Sequence, residues 1–184
     1  MQPIRSIATI MLVILIPITA GYAGDVNQEL IRASAGGNTA AVKTLLEKGA
    51  DINFKDDSGH TALICAAKFG NEETVQVLLP NGADTNEKDI WDETALGYAA
   101  KNGYLTTVKA LLAGGADINA RGNNDATPLI GAAKQNHAGI VKILLSKGAD
   151  VNLKTKGGRT ALGVAVESDS FEAAQLLKEA GSKE

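Results

Sequence analysis

A 33-residue internal repeat is the feature that most constrains what this chain can fold into. Four related segments, TALICAAKFG, TALGYAAKNG, TPLIGAAKQN and TALGVAVESD, begin at Thr61, Thr94, Thr127 and Thr160. A second segment, LLEKGADIN in its first copy, recurs at the same spacing. Self-similarity at a fixed period of about 20 to 50 residues indicates an array of stacked units rather than one globular core.

Each unit carries the pattern of two short helices. Thr61 precedes a helical run, and its hydroxyl can accept a hydrogen bond from an amide that lacks an intrahelical partner. Leu63 and Ala66 then recur at helical spacing, and Val75 and Leu78 do so in a second run that follows a glycine. Because neither helix can bury its apolar side alone, neighbouring units must stack against each other.

This helix–loop–helix–turn unit resembles the ankyrin repeat, whose pattern is D-x-x-G-x-T-P-L-H-x-A-A-x-x-G followed by V-x-x-L-L-x-x-G-A-D-V-N. The likeness extends from about Gly24 to Gly181. It implies an all-α ankyrin-repeat solenoid of about five helix–loop–helix units joined by β-hairpin-like tips, in a repeat domain of residues 24–184. The predicted units are an N-terminal capping repeat, three full repeats and a C-terminal capping repeat, at 24–56, 57–89, 90–122, 123–155 and 156–184.

The chain departs from this pattern in two respects. The histidine position of the motif holds Ile64, Gly97, Ile130 and Gly163, so the hydrogen bonds that this histidine makes between units are missing. A glycine inside a short helix costs about 1 kcal/mol relative to alanine. Pro80 removes a backbone donor near the end of a second helix, so we expect the last turn of that helix to be disrupted.

The amino terminus has the pattern of a cleavable signal peptide over residues 1–23. One positive charge, Arg5, precedes an apolar run that is too short to span a bilayer comfortably, and small residues follow it. We expect cleavage after Ala23, with Ala20 as the alternative site, and an uncleaved membrane anchor is the other interpretation. The mature chain is then expected to be periplasmic or secreted, with no membrane contact. Since it lacks N-x-Ser/Thr acceptor sites, a bacterial exported protein fits better than a glycosylated one.

Charge and cysteine content narrow the function classes. The net charge of −3 argues against nucleic acid as the main partner, because phosphate binding relies on positive patches. The single cysteine, Cys65, has no partner for an internal disulfide. It aligns with Tyr98, Gly131 and Val164, which share no chemistry, so we interpret it as a small packed side chain. A thiol redox sensor that works through Cys65 is the alternative.

No pattern in the chain predicts catalysis. His60 and His137 have no spacing that suggests a metal site. The acidic pairs Asp56–Asp57 and Asp92–Glu93 fall in the tips, where we expect solvated charges rather than catalytic carboxylates in a closed pocket. We therefore predict a non-catalytic protein with no cofactor and no metal.

The resemblance implies that a protein partner binds at the variable positions of the tips and first helices. Carried over position by position, the predicted protein-binding residues are Asp57, Ser58, His60, Lys68, Phe69, Ile90, Trp91, Glu93, Lys101, Asn102, Asn123, Asn124, Lys134, Gln135, Lys156 and Arg159. Trp91, beside Ile90, is the strongest candidate, because tryptophan is enriched among residues that carry binding energy. Alternatively, its ring packs on a neighbouring tip. Lys68, Lys101 and Lys134 recur at the repeat period, which favours an acidic partner unless this stripe is only a solvated face.

These patterns predict an exported, monomeric protein–protein interaction module, with support of a periplasmic enzyme as one role for it. A secreted effector or a toxin-neutralising protein that acts on foreign proteins is the alternative of a different class.

Overall fold

The computed structural model describes residues 19–181, with side chains from Val26 onward. This part of the chain forms ten α-helices and two short 3-10 turns. The helices are α1 (Thr19–Ala35), α2 (Thr39–Glu47), α3 (Ala62–Lys68), α4 (Glu72–Leu78), α5 (Ala95–Asn102), α6 (Leu105–Ala113), α7 (Pro128–Lys134), α8 (Ala138–Ser146), α9 (Ala161–Glu167) and α10 (Phe171–Glu179).

The predicted signal peptide, residues 1–23, falls mostly outside the described residues, which begin at Thr19. The predicted cleavage site after Ala23 lies within α1. Between residues 19 and 181, the helices are all too short or too polar to cross a membrane.

The helices form two layers. The odd-numbered helices pack on one another in chain order, from α1 on α3 to α7 on α9. The even-numbered helices pack on one another in the same order behind them, and each also contacts the odd-numbered helix that precedes it. This arrangement confirms the all-α solenoid of stacked helix–loop–helix units that the sequence predicts.

Threonine side chains start the first helices of four units. The hydroxyl oxygens of Thr61, Thr94, Thr127 and Thr160 each accept the backbone N–H three residues later, at 3.1 to 3.3 Å. All four threonines are buried, and each bond satisfies an amide that has no partner within its own helix. The repeated threonine of the sequence is therefore the signal that sets where α3, α5, α7 and α9 begin.

Small side chains let the first helices approach closely. Three alanine pairs are fully covered by the neighbouring helices: Ala66–Ala67, Ala99–Ala100 and Ala132–Ala133. Leu63, Leu96 and Leu129 fill the space beside them and are at most 1% exposed. Burying each leucine side chain contributes about 1.5 to 3 kcal/mol, and the neighbouring units supply much of the cover.

Polar side chains also join each unit to the next. The side-chain oxygens of Asn53, Asn86 and Asn119 accept the backbone N–H of the aspartate 31 residues later, at 2.8 to 2.9 Å. The ammonium groups of Lys55 and Lys88 donate to the carbonyl oxygen 33 residues later, at 2.9 and 2.7 Å. These bonds repeat along the array and provide polar links between units that lack the motif's histidine.

The tips between units are five-residue turns, and in each the backbone N–H of the first residue donates to the carbonyl oxygen of the last, at 2.9 to 3.1 Å. The first and last residues of these turns are Asp56 and His60, Asp89 and Glu93, Gly122 and Ala126, and Thr155 and Arg159. Among the described residues, ladder pairing is confined to an isolated antiparallel bridge between Lys88 and Thr94. The tips are thus hairpin-like, as expected, although they are turns rather than extended strands.

Pro80 shortens one second helix, as the sequence predicts. α4 has seven residues, whereas α6 and α8 have nine each. The chain continues as a 3-10 turn over Leu79–Asn81, and Gly82 then ends the turn in the left-handed region with a φ of 92°. A residue without an N–H group fits this turn but not the interior of an α-helix.

Candidate protein-binding surface

Two neighbouring regions of the tips and first helices collect most of the predicted binding residues. The first, which we call the aromatic cluster, consists of His60, Trp91 and Tyr98 with Lys68 and Asp89. The second, which we call the tip groove, lies between α5, α7 and α9 and the tips that precede them. The two regions have different chemistry although they are built from equivalent positions of the repeat.

The aromatic cluster joins the tips of two successive units. The ring centroid of His60 lies 5.7 Å from that of Trp91 and 6.5 Å from that of Tyr98. The Lys68 ammonium lies 4.9 Å from the centre of the Tyr98 ring and 6.0 Å from that of Trp91. The same ammonium is 3.4 Å from His60 Nε2. A cation above an aromatic face at such distances is a favourable contact, so these four side chains hold one another in place.

A buried carboxylate organises this cluster. Asp89 Oδ1 accepts the backbone N–H groups of Trp91 and Glu93 at 2.9 Å each, and Oδ2 accepts the Tyr98 hydroxyl at 2.7 Å. Oδ2 also lies 3.6 Å from His60 Nε2, and the Asp89 side chain is fully buried. Burial, followed by the hydrogen bond to Asp89, raises the pKa of Tyr98 above its ordinary value, so its hydroxyl stays a donor.

Sequence reasoning missed Asp89 and Tyr98 as parts of this site. A signal for Asp89 is present, because Asp56 stands one repeat earlier and makes equivalent bonds to the backbone N–H groups of Ser58 and His60, at 2.9 and 2.8 Å. Tyr98 carries no comparable signal, since only the folded tip brings its hydroxyl to Asp89.

Trp91 agrees in part with both interpretations of its role, as an exposed binding residue and as a ring packed on a neighbouring tip. Its ring contacts His60 of the neighbouring tip, yet the residue is 45% exposed. Ile90 beside it is 63% exposed. Trp91 therefore presents a large apolar surface to solvent, while its contact with His60 on the protein side holds the ring in place.

Glu93 is not the solvated charge that the sequence suggests. Its carboxylate lies in a space that two glycines leave empty, because a Cβ at Gly97 would overlap Oε1 and one at Gly122 would stand 2.5 Å from the same atom. Burial raises the pKa of Glu93, and the Lys101 ammonium and hydrogen bonds from the backbone of Asn123 and Thr94 oppose that shift. The expectation for Glu93 is wrong because it treats each tip alone, whereas the side chain reaches across to the next unit.

The tip groove has a volume of about 350 Å³. Its floor includes Ile130, Gly131 and Val164, and its rim carries charged side chains. The charged residues that line it are Glu93, Lys101, Lys134, Arg159 and Glu167. Arg159 Nε donates to Glu167 Oε1 at 2.8 Å, which gives one end of the groove an internal ion pair.

The remaining predicted residues lie at the edges of these two regions. Asn123 and Asn124 line the groove, and Asn124 accepts the backbone N–H of Lys156 at 2.9 Å. Asn102 donates its side-chain N–H to the Lys68 carbonyl at 2.9 Å. Exposed residues that neither region brings together are Asp57, Phe69, Gln135 and Lys156.

Cys65 has the environment of a packed side chain. The residue is only 6% exposed, and burial raises the pKa of its thiol to about 11, with the Asp56 charge adding to the shift. A redox-active thiol needs the opposite shift, because the thiolate is the reactive form. These properties favour the packing interpretation over the redox sensor. Within residues 19–181, no group of three or more histidine, cysteine, aspartate and glutamate side chains is arranged to hold a metal ion.

His137, the other histidine, has a structural position. Its Nε2 lies 3.1 Å from the Lys101 carbonyl oxygen of the preceding unit. Asn71 and Ser170 occupy the same position one repeat before Tyr104 and one repeat after His137, and both also donate to carbonyls of the preceding unit, at 2.8 to 3.1 Å. Asn71, His137 and Ser170 therefore link units through this position.

Comparison with known protein families agrees with this architecture. A family described as ankyrin repeats (3 copies) matches residues 30–122 and 98–183. A search of curated proteins found no match to this chain. Ankyrin repeats generally serve as protein–protein interaction modules, and the family is typically a non-catalytic scaffold. Since the two matched segments together span most of the sequence, the chain belongs to the ankyrin-repeat family.

Proposed function

We propose that this protein is an exported, non-catalytic scaffold that binds a protein partner through its tips and first helices. Trp91 and Ile90 supply the apolar anchor of this interface, and the tip groove lies beside them. The observation that carries the proposal is the environment of Trp91, the only tryptophan of the chain. Its side chain is almost half exposed to solvent, yet its contact with His60 holds it in place.

The fixation of Trp91 favours binding because little conformational freedom is left to lose. Its backbone N–H is bonded to the buried Asp89, and its ring rests against His60 with Lys68 alongside. Ordering a mobile side chain at an interface costs about 0.5 to 1.5 kcal/mol, and a pre-positioned ring avoids much of that cost. Large, rigid aromatic side chains are the residues most often found to dominate interface energy.

The titratable groups of the cluster support a binding role over a catalytic one. Asp89 accepts three hydrogen bonds and its side chain is fully buried, so it has no open face for a substrate. Tyr98 donates to Asp89, and Cys65 is covered. Asp89 and Tyr98 are therefore committed to holding the tip, and the Cys65 thiol is inaccessible.

Partner capture with matched aromatic variants tests the proposal. The mature chain is immobilised, a periplasmic extract is passed over it, and retained proteins are identified by mass spectrometry. The affinity of the purified partner is then measured for the native chain, for Trp91→Ala and for Phe171→Ala. Phe171 is the control because it is 77% exposed on α10, away from the tips.

We expect Trp91→Ala to weaken partner binding by at least about tenfold, and Phe171→Ala to change it by less than about twofold. Trp91→Ala should change the unfolding free energy by less than about 1 kcal/mol, because the ring is already half exposed. Unchanged affinity in Trp91→Ala, or equal losses in both variants, would contradict the proposed interface.

Export is tested separately. If residues 1–23 form a cleaved signal peptide, the protein recovered from the periplasm or the medium should begin at Gly24. Amino-terminal sequencing gives this result directly. A chain that retains Met1 and stays in the cytoplasm would contradict the export part of the proposal without affecting the binding part.

A further inference from the structure

We infer that the tip groove binds an acidic, extended segment of the partner protein, with Lys134 as its principal cation. This inference rests on the proposed function, since it specifies the chemistry of the partner at the same surface. Its support comes from how the charges of the groove are already used within the protein.

Of the recurring lysines, only some have partners in the described part of the chain. Lys68 is held between His60 and the ring of Tyr98. Lys101 has no hydrogen bond or ion pair from its ammonium among the described residues, but its charge acts on the Glu93 carboxylate, whose pKa it lowers against the effect of burial. Lys134 is exposed at the groove, and among residues 26–181 no hydrogen bond or ion pair is found for its ammonium. Lys134 is therefore the lysine that is best placed to meet a charge from outside.

The carboxylates of the groove offset only part of its positive charge. Glu167 is paired with Arg159 at 2.8 Å. Glu93 is held in the glycine-lined space and takes hydrogen bonds from the backbone of Asn123 and Thr94. Three cations (Lys101, Lys134 and Arg159) and two carboxylates line the groove, so its formal net charge is +1. A carboxylate complements such a site, and opposite charges across an interface favour both encounter and register.

The floor of the groove suits a main chain in close approach. Gly131 takes the position that Tyr98 and Val164 hold in the neighbouring units, and it lines the groove as a partly exposed residue next to the backbone and Cβ of Lys101. Ile130 and Val164 line the floor on either side of it. An extended segment can therefore lie over Gly131 with an acidic side chain towards Lys134.

The spacing of the units defines the matching sequence pattern. Packed helix axes are about 8 to 10 Å apart, so Lys101 and Lys134, at equivalent positions of adjacent first helices, repeat at roughly that distance. A polyproline II segment rises about 3.1 Å per residue and directs every third side chain to the same side, about 9 Å apart. Acidic residues at every third position would thus meet successive units.

Nucleic acid fits the same groove less well. The chain carries a net charge of −3, and Glu93 and Glu167 line the groove on both sides of Lys134. A polyanion with a charge at every nucleotide would meet those carboxylates as well as the lysine. A protein segment can place its carboxylates selectively.

Binding of a labelled peptide to the mature chain tests the inference. The probe is a short fluorescein-labelled peptide with glutamate at every third position and proline or alanine elsewhere, and its twin carries glutamine in place of glutamate. Fluorescence anisotropy is measured at low and at physiological ionic strength for the native chain and for Lys101→Gln/Lys134→Gln. The control variant is Lys109→Gln/Lys142→Gln, which removes the same charge from exposed positions on α6 and α8.

We expect the acidic peptide to bind the native chain about three to ten times more tightly than its twin at low ionic strength, since exposed ion pairs are individually weak. Lys101→Gln/Lys134→Gln should abolish this preference, whereas Lys109→Gln/Lys142→Gln should change it by less than about twofold. The inference is overturned if the acidic peptide fails to bind, if the twins bind equally, or if both double variants lose the preference alike. It is also overturned if a single-stranded oligonucleotide binds more tightly than the peptide and depends on the same lysines.

Failure here can be told apart from failure of the proposed function. If Trp91→Ala weakens capture of the partner while the peptides show no charge preference, the surface binds protein but the acidic specification is wrong. If Trp91→Ala leaves capture unchanged, the proposed interface itself fails, whatever the peptides do.

Discussion

Two junctions between successive tips use equivalent repeat positions but form different surfaces. The first junction lies between the tips at 56–60 and 89–93, and the second lies between the tips at 89–93 and 122–126. At the first junction, Asp89 fills the turn with a buried carboxylate, and the Ile90 N–H donates to the Ser58 carbonyl at 3.1 Å. His60 and Trp91 then pack above it. Side chains fill this junction, so we call it closed, and it presents an aromatic surface to solvent.

At the second junction, Gly122 replaces the aspartate and Gly97 replaces a larger residue of the first helix. The Glu93 carboxylate enters the space that they leave, and the backbone of Asn123 hydrogen-bonds it. The neighbouring Gly131 has no side chain that would fill the groove. This junction is open, and it forms one end of the tip groove.

The difference shows how a repeat array acquires a specific surface without altering its scaffold. The threonine caps and alanine pairs are the same at both junctions, and they hold the helices in the same stack. What changes is the volume at a few tip and first-helix positions. A filled position makes an aromatic anchor, and an empty one makes a groove.

The largest expected effect on stability is at the closed junction. Asp89→Ala leaves two backbone amides and the Tyr98 hydroxyl without their acceptor, so it should cost about 2 to 4 kcal/mol of unfolding free energy. Asp56→Ala is the matched control, since Asp56 accepts two backbone amides but its side chain is 24% exposed, and it should cost about 1 kcal/mol. Urea unfolding measures both. Equal losses would mean that the buried aspartate has no special role.

Asp89→Ala should also alter the surroundings of Trp91 before the protein unfolds. Loss of the bond to the Trp91 N–H frees the tip, so the tryptophan emission should shift to longer wavelength in the folded variant. Since Trp91 is the only tryptophan, the signal has one source. Emission that matches the native chain would show that Asp89 does not position the ring.

A smaller effect is expected at the open junction. Gly122→Ala places a methyl group 2.5 to 2.8 Å from the Glu93 carboxylate, which must then leave its site and lose its hydrogen bonds. We expect a cost of about 1 kcal/mol in the native background and almost none in a Glu93→Ala background. A double-mutant cycle by urea unfolding measures the coupling. If the two substitutions are additive, the carboxylate does not occupy the glycine space.

The smallest effect is on pH dependence. Burial raises the pKa of Glu93 above its ordinary value of 4.5, so the folded chain holds this proton at a pH where the unfolded chain has released it. The resulting stability is present below the ordinary value and is lost as the pH rises through the raised one. Compared with Glu93→Gln, the native chain should therefore lose unfolding free energy as the pH rises from about 4 to 7, which urea unfolding at several pH values measures. A native chain that gains stability relative to Glu93→Gln over this range would contradict the sign.

Much of the scaffold could be predicted from the sequence because its determinants are local and repeated. Thr61 caps the helix in which it stands, and Pro80 ends the helix that precedes it. The period alone then dictates that the hairpins stack. The sequence also identifies Trp91 as a candidate, because it is the only tryptophan of the chain and lies in a mostly polar tip.

The details of the surface depend on contacts between units, which no single unit displays. In the sequence, Gly97 indicates only a loss of helix stability, whereas in the structure its missing side chain leaves space for Glu93. Asp89 and Tyr98 are nine residues apart and meet only when the tip folds onto α5. The charge pattern of the lysines was visible, whereas the engagement of Lys68 and the availability of Lys134 required the positions of their neighbours.

The central claim is that the tips and first helices, and not the second helices, hold the partner. Site-specific photo-crosslinking tests it most directly, with a benzophenone side chain placed at Ile90 or Asn124 in the tips, or at Lys109 or Lys142 on the second helices. All four positions are exposed, so each probe is accessible. The account predicts crosslinks to one and the same protein from both tip positions and none from the second helices. Crosslinks from the second helices with none from the tips would contradict it.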